Sequence, residues 1–207
     1  MNNTNNANAT NTAKQRLKAK DIITLAIFSV LFVIICFISI MLCSMMVVTQ
    51  PFSIALAALL GSTLYMYMRA KVRSFGGILI TGAILSLAMF LTGAGLIITV
   101  ATLAGALIAE LIGKASHYSY WGNTIGYIVL ITLYASSNII PMYMMKEETL
   151  ALAMSNSLDN AFMIDLLNFI TGPVMAAALV VVAVSALVGS LLARAMLKKH
   201  FVKAGMI

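Results

Sequence analysis

The stretch SFGGILITGAILSLAMFLTGAGLIITVATLAGALIA, residues 74–109, decides the fold. It runs between Arg73 and Glu110 and holds 36 consecutive residues without a charge. As a single helix it would be about 54 Å long. A bilayer's hydrocarbon core is about 30 Å thick and takes about 20 apolar residues to cross. One crossing cannot use the segment up, so it crosses twice. The reversal falls at Thr92-Gly93-Ala94-Gly95, where glycine lets the backbone turn. The segment reads as a transmembrane hairpin, with Arg73 and Lys114 on one side and the turn on the other.

The same logic extends outward. Residues 22–68 are 47 uncharged positions, again too many for one crossing. Their break is Thr49-Gln50-Pro51, since proline suits the first turn of a helix. The reading is six helices at about 22–47, 51–68, 75–92, 95–113, 123–145 and 166–193. Residues 146–165 form one long acidic loop, and Thr171-Gly172-Pro173 is an irregularity near the start of the last helix. The fold class is an all-α integral membrane protein. Residues 1–20 are a disordered polar and basic tail, 21–194 the six-helix domain, and 195–207 a basic tail.

Composition agrees. The chain is 207 residues, 62% hydrophobic and 9% charged, with mean hydropathy +1.02, which is no soluble domain. Its net charge of +7 has a topological reading. With the N-terminus inside, twelve of the thirteen Lys and Arg face the cytoplasm and Lys146 alone faces out. That asymmetry orients the protein with both termini cytoplasmic. It leaves no interleaved basic surface for nucleic acid. Cys36 and Cys43 lie within the first helix and read as packing residues. The N-terminal apolar run is too long for a cleavable signal peptide.

Helix four carries Ala101, Gly105, Ala109 and Gly113, a small-residue groove for close helix approach, and helix three a shorter version in Gly82 and Ser86. Glu110 is expected to reach the interface or to pair with Lys114 one turn on. Helix five contains Asn138 and a kinking Pro141.

The outer face is built from the 48–51 turn, the 92–95 turn and the 146–165 loop. Thr49, Gln50, Thr92, Asn138, Asp165 and Asn168 are its polar groups, with Phe52, Phe90, Tyr134 and Tyr143 beside them. An outward-opening cavity lined by both asparagines is the expected ligand site. Methionines also gather outward: Met41, Met45, Met46, Met142, Met144, Met145, Met154 and Met163. Their thioethers suit a flat apolar ligand. No histidine or cysteine joins them, so no metal and no cofactor is expected. His117 and His200 fall on the cytoplasmic side without catalytic partners. H-E-x-x-H, G-x-S-x-G and P-loop patterns are absent, so no enzyme is expected.

Three stretches carry a resemblance: Phe90-Leu91-Thr92-Gly93, Ala109-Glu110-Leu111-Ile112, and the tail Met196-Leu197-Lys198-Lys199-His200-Phe201-Val202-Lys203-Ala204-Gly205. Through them the chain resembles the S components, or substrate-binding subunits, of energy-coupling factor (ECF) transporters, and within these the Trep_Strep group. The resemblance implies a subunit of a prokaryotic cell membrane that captures a vitamin-like molecule from outside. It implies as partners a transmembrane scaffold subunit and two ATPases, which would hydrolyse the ATP. It places the substrate site in the outer loops and outer halves of helices four to six. It also implies scaffold docking through an Ala-x-x-x-Ala pattern on helix one. Here Ala26 matches and Val30 departs, so Ser29, Ala57 and Gly61 are the further docking candidates. The alternative is a self-sufficient secondary transporter or channel, which would need coupling-ion ligands near the midplane.

Overall fold

The computed structural model describes residues 17–155 and 160–203. The tail up to Arg16, Asp159 in the outer connection, and residues 204–207 lie outside them. Among the described residues eight α-helices follow one another: α1 (Ala19–Cys43), α2 (Ser53–Lys71), α3 (Gly77–Leu91), α4 (Leu96–Ala115), α5 (Tyr120–Met144), α6 (Lys146–Ser155), α7 (Asn160–Phe169) and α8 (Gly172–Lys203). Five of them, α1, α2, α4, α5 and α8, are long and apolar enough to cross a membrane, and α3 is a shorter apolar helix. Together these six form an integral-membrane bundle.

The bundle closes on itself. Going round, α1 packs on α2, α2 on α8, α8 on α5, α5 on α4, α4 on α3, and α3 on α1, while α2 and α5 meet across the middle. The central contact is aromatic. The Tyr65 and Tyr127 rings lie 4.7 Å apart, Phe32 stands edge-on to Tyr127, and Tyr127 Oη donates to Ala58 O at 2.8 Å. In hydrocarbon a polar group must find its partner inside the protein. Ser29 of α1 does so by donating to Thr81 of α3 at 2.9 Å. The outside is the reverse of a soluble protein. Ile27, Ile34, Val100, Leu107, Val180 and Val184 are all exposed, as a lipid-facing belt requires.

The small-residue stripe of α4 meets two neighbours. A Cβ on Gly105 would touch the Leu130 backbone of α5 at 3.3 Å, and one on Gly126 of α5 would reach Ala109 O at 3.0 Å. On the other side Gly82 of α3 sits against Ala106. Backbones at this range leave no room for larger side chains.

Several expectations are corrected. The first helix stops at Cys43, not 47: Ser44 Oγ lies 2.7 Å from Ile40 O and 2.9 Å from Gln50 Oε1, and Thr49 Oγ1 bonds Cys43 O. A 3-10 turn at Gln50–Phe52 then leads into α2. The long outer loop is largely two helices, α6 and α7, and the last span begins at Gly172 with Pro173 in its first turn. Asp165, expected in the loop, and Asn168, expected on the last span, therefore both sit on α7. Helix α8 runs on to Lys203.

Glu110 is also corrected. It reaches neither the interface nor Lys114, whose Nζ lies over the Phe75 ring at 5.2 Å. Instead it is fully buried, with Oε1 3.1 Å from Arg69 Nη1 of α2, itself 2% exposed. Its Oε2 accepts from Ile78 N at 2.7 Å, in the first turn of α3, where the helix dipole favours an anion. One carboxylate thus ties α4 to α2 and α3 at the inner end of the bundle.

Candidate functional site

A cavity among the described residues opens at the outer end and has a volume of about 400 Å³. That lies within the range of small-molecule sites. Its walls come from six places, with Leu96, Ile97 and Ile98 at the start of α4 as one of them. Phe37 and Ile40 project from α1. Met89 and the turn 92–95 close one side. Tyr134, Asn138, Pro141 and Met142 come from α5, Glu148, Leu152 and Ala153 from α6, and Met163 from α7.

Each wall follows from local sequence. Helix α3 has 15 residues, about 22 Å, too short to cross the hydrocarbon alone. Its turn therefore sits low, at a depth where irregular backbone is tolerated only against protein or a cavity. Gly93 and Gly95 take φ of 78° and 86° there. Gly95, with ψ 166°, occupies a region essentially restricted to glycine. A Cβ on Gly95 would be 3.8 Å from its nearest neighbour, Leu152, so space is ample and only the backbone objects. Gly95→Ala is expected to lower stability by about 1–3 kcal/mol, read as a reduced thermal midpoint in detergent. An unchanged midpoint would show that the turn relaxes freely.

The cover has its own logic. Met163, Leu166, Leu167 and Ile170 are buried and spaced as one face of a helix. With Ala153 of α6, Ile139 of α5 and Ala178 of α8, the residues Met163, Leu166 and Ile170 form a second, smaller core beside the cavity. Charge and polarity inside the cavity are sparse. Glu148 is its one acidic lining residue, and no Lys, Arg or His lines it among the described residues. The Tyr134 Oη donates to Met89 Sδ at 3.2 Å. Asn138 Nδ2 donates to Tyr134 O at 2.9 Å, which fixes the amide on the wall. Asn138 also borders a second small cavity of about 50 Å³ with Gln50.

The ten residues expected at the site divide. Thr92, Tyr134 and Asn138 line the main cavity, and Gln50 the small one. Phe52 packs into the second core. Thr49, Phe90, Tyr143, Asp165 and Asn168 are exposed and outside both cavities. Of the outer methionines, Met142, Met145 and Met163 line the main cavity, while Met41, Met45, Met46, Met144 and Met154 do not. The expected docking set fares differently: Ser29, Ala57 and Gly61 are buried inside the bundle, where a Cβ on Gly61 would meet the Phe32 ring at 2.6 Å, and Ala26 alone is partly accessible.

Sequence reasoning missed Phe37, Ile40 and Met89, whose outward reach depends on helix rotation. It also missed α6. For α7 the signal was present, in the spacing of Met163, Leu166, Leu167 and Ile170.

A family of hypothetical bacterial integral membrane proteins (Trep_Strep) matches residues 19–203. The chain belongs to that family. The match for this Trep_Strep protein covers the six bundle helices, α6 and α7 together. No curated protein and no solved structure matches the chain.

Proposed function

We propose that this Trep_Strep protein is the substrate-binding subunit of an ECF-type importer in the bacterial plasma membrane, and not an enzyme. The observation that carries the reading is the 400 Å³ outer cavity, lined by α6 and α7 and closed on one side by the 92–95 turn. A receptor needs such a cup open to the medium. The ligand is a small neutral or cationic molecule with an apolar or aromatic body. Met89, Met142, Met145, Met163 and Phe37 suit a flat ring. Glu148 without any lining cation disfavours an anion. Uptake would need the energy-coupling partners, a membrane scaffold subunit and two ATPases, because this chain carries no nucleotide motif.

Native mass spectrometry of the purified protein would identify the co-purifying ligand. Asn138→Ala is expected to weaken its binding about tenfold, by removing a wall amide from a mostly apolar cavity. Asn168→Ala, on the exposed face of α7, should leave it unchanged. A polyanionic ligand, or equal losses from both variants, would overturn the site. Uptake into liposomes by the chain alone would replace the importer reading with a secondary transporter.

A further inference from the structure

A third cavity, of about 350 Å³, opens at the opposite, basic end between α2, α5 and α8. Its cations are Arg69 of α2, Arg73 just beyond the end of α2, and Arg194 and Lys198 of α8. Tyr118, Tyr120 and Asn123 complete the polar wall. The Arg194 guanidinium lies 4.6 Å from the Tyr120 ring centroid, and the Arg69 guanidinium 5.3 Å from that of Tyr118. Tyr120 is itself anchored, with Oη donating to Ser190 O at 2.8 Å.

Arg69 is the unusual member. It is 2% exposed, and Glu110 engages its Nη1 only. Its Nε and Nη2 are buried and form no hydrogen bond, and the Tyr65 Oη beside the guanidinium and Asn123 Oδ1 are likewise buried and unbonded. Leaving charged donors unbonded in a buried place costs free energy that a ligand oxygen would recover. The four cations outnumber the one nearby carboxylate. Guanidinium groups suit phosphate oxygens because their planar donors match them in pairs.

We propose that this cavity binds a phosphate group at the cytoplasmic membrane surface, carried by an anionic lipid headgroup or by a soluble phosphate. Arg69 sits at its buried end, and Arg194 and Lys198, both exposed, flank its mouth. Basic recesses between spans at that depth are where anionic headgroups are available. The site is separate from the outer cavity, so it stands or falls independently of the importer reading.

The test uses the full chain in nanodiscs. In phosphatidylcholine discs with a minor share of phosphatidylglycerol, native mass spectrometry should find phosphatidylglycerol retained on the wild type. The double variant Arg194→Gln/Lys198→Gln is expected to reduce that retention about tenfold or more. The variant Lys20→Gln/Lys71→Gln removes the same charge from exposed positions outside the cavity and should retain it. In pure phosphatidylcholine discs, binding of inorganic phosphate that the cavity variant loses would identify a soluble phosphate as the ligand. Loss in both variants alike would mean diffuse surface charge, and binding of neither probe would mean no phosphate site; either overturns the proposal. Restricted labelling of the buried Cys36 thiol, in a Cys43→Ser background, shows whether each variant is folded.

Discussion

Replacing Glu110 with Leu is expected to destabilise the bundle by about 3–5 kcal/mol. The change leaves Arg69, 2% exposed, without its counter-ion. It also removes the acceptor of Ile78 N–H at the start of α3. A lone buried cation is far costlier than a buried pair, because the attraction that offset its desolvation is gone while the desolvation remains. Arg69→Leu/Glu110→Leu should recover most of the loss, since a well-packed apolar pair can equal a buried ion pair. Recovery should be incomplete, because Ile78 N–H still lacks its acceptor. Heating in nanodiscs while a thiol-reactive dye reports the exposure of Cys36, with Cys43 replaced by Ser, measures both. A single variant as stable as the wild type, or a double variant no better than the single, would show that the ion pair is not what holds α2, α3 and α4 at this end.

Gly189→Ala is expected to destabilise by about 1–3 kcal/mol, and Gly189→Val by more. Helix propensity alone points the other way, because alanine is about 1 kcal/mol better than glycine inside a helix. The packing decides the sign. A Cβ at Gly189 would lie 2.6 Å from Leu59 O of α2 and would also collide with the Ser62 side chain. A backbone carbonyl cannot rotate away; α2 or α8 must shift as a body. At Gly172 the nearest atom to an added Cβ is Tyr143 Oη at 3.5 Å, an ordinary contact. Gly172→Ala should therefore change stability by no more than about 0.5 kcal/mol. The same thermal assay separates them: equal midpoints for the alanine variants at 189 and 172 would contradict the close approach of α2 and α8.

The candidate site was legible in part. Thr92, Tyr134 and Asn138 could be placed at the outer wall because the count of crossings sets the depth of each residue. Asp165 and Asn168 were misplaced because the residues joining α5 to the last span looked like an acidic loop. The charges of Glu147 and Glu148 drew attention from the apolar spacing that follows. The four buried positions from Met163 to Ile170 make α7 a cover packed on α5 and α8, so the polar residues between them face out. The resemblance implies Ser29, Ala57 and Gly61 as docking candidates, small residues that permit close approach. They do so here within the chain, toward Thr81 for Ser29 and toward the Phe32 ring for Gly61.

By itself the sequence determined the crossings and their polarity. An uncharged run has a length, a bilayer has a thickness, and Lys and Arg sort to one side, so these are sums along the chain. The tertiary structure alone decided that Glu110 meets Arg69, that α6 and α7 close over a cavity, and that α2 and α5 touch across the ring. Each of those depends on how helices rotate about their axes and which neighbours they face. In a chain that is apolar on every side, hydrophobic periodicity hardly marks that rotation; close packing and the pairing of the few polar groups set it.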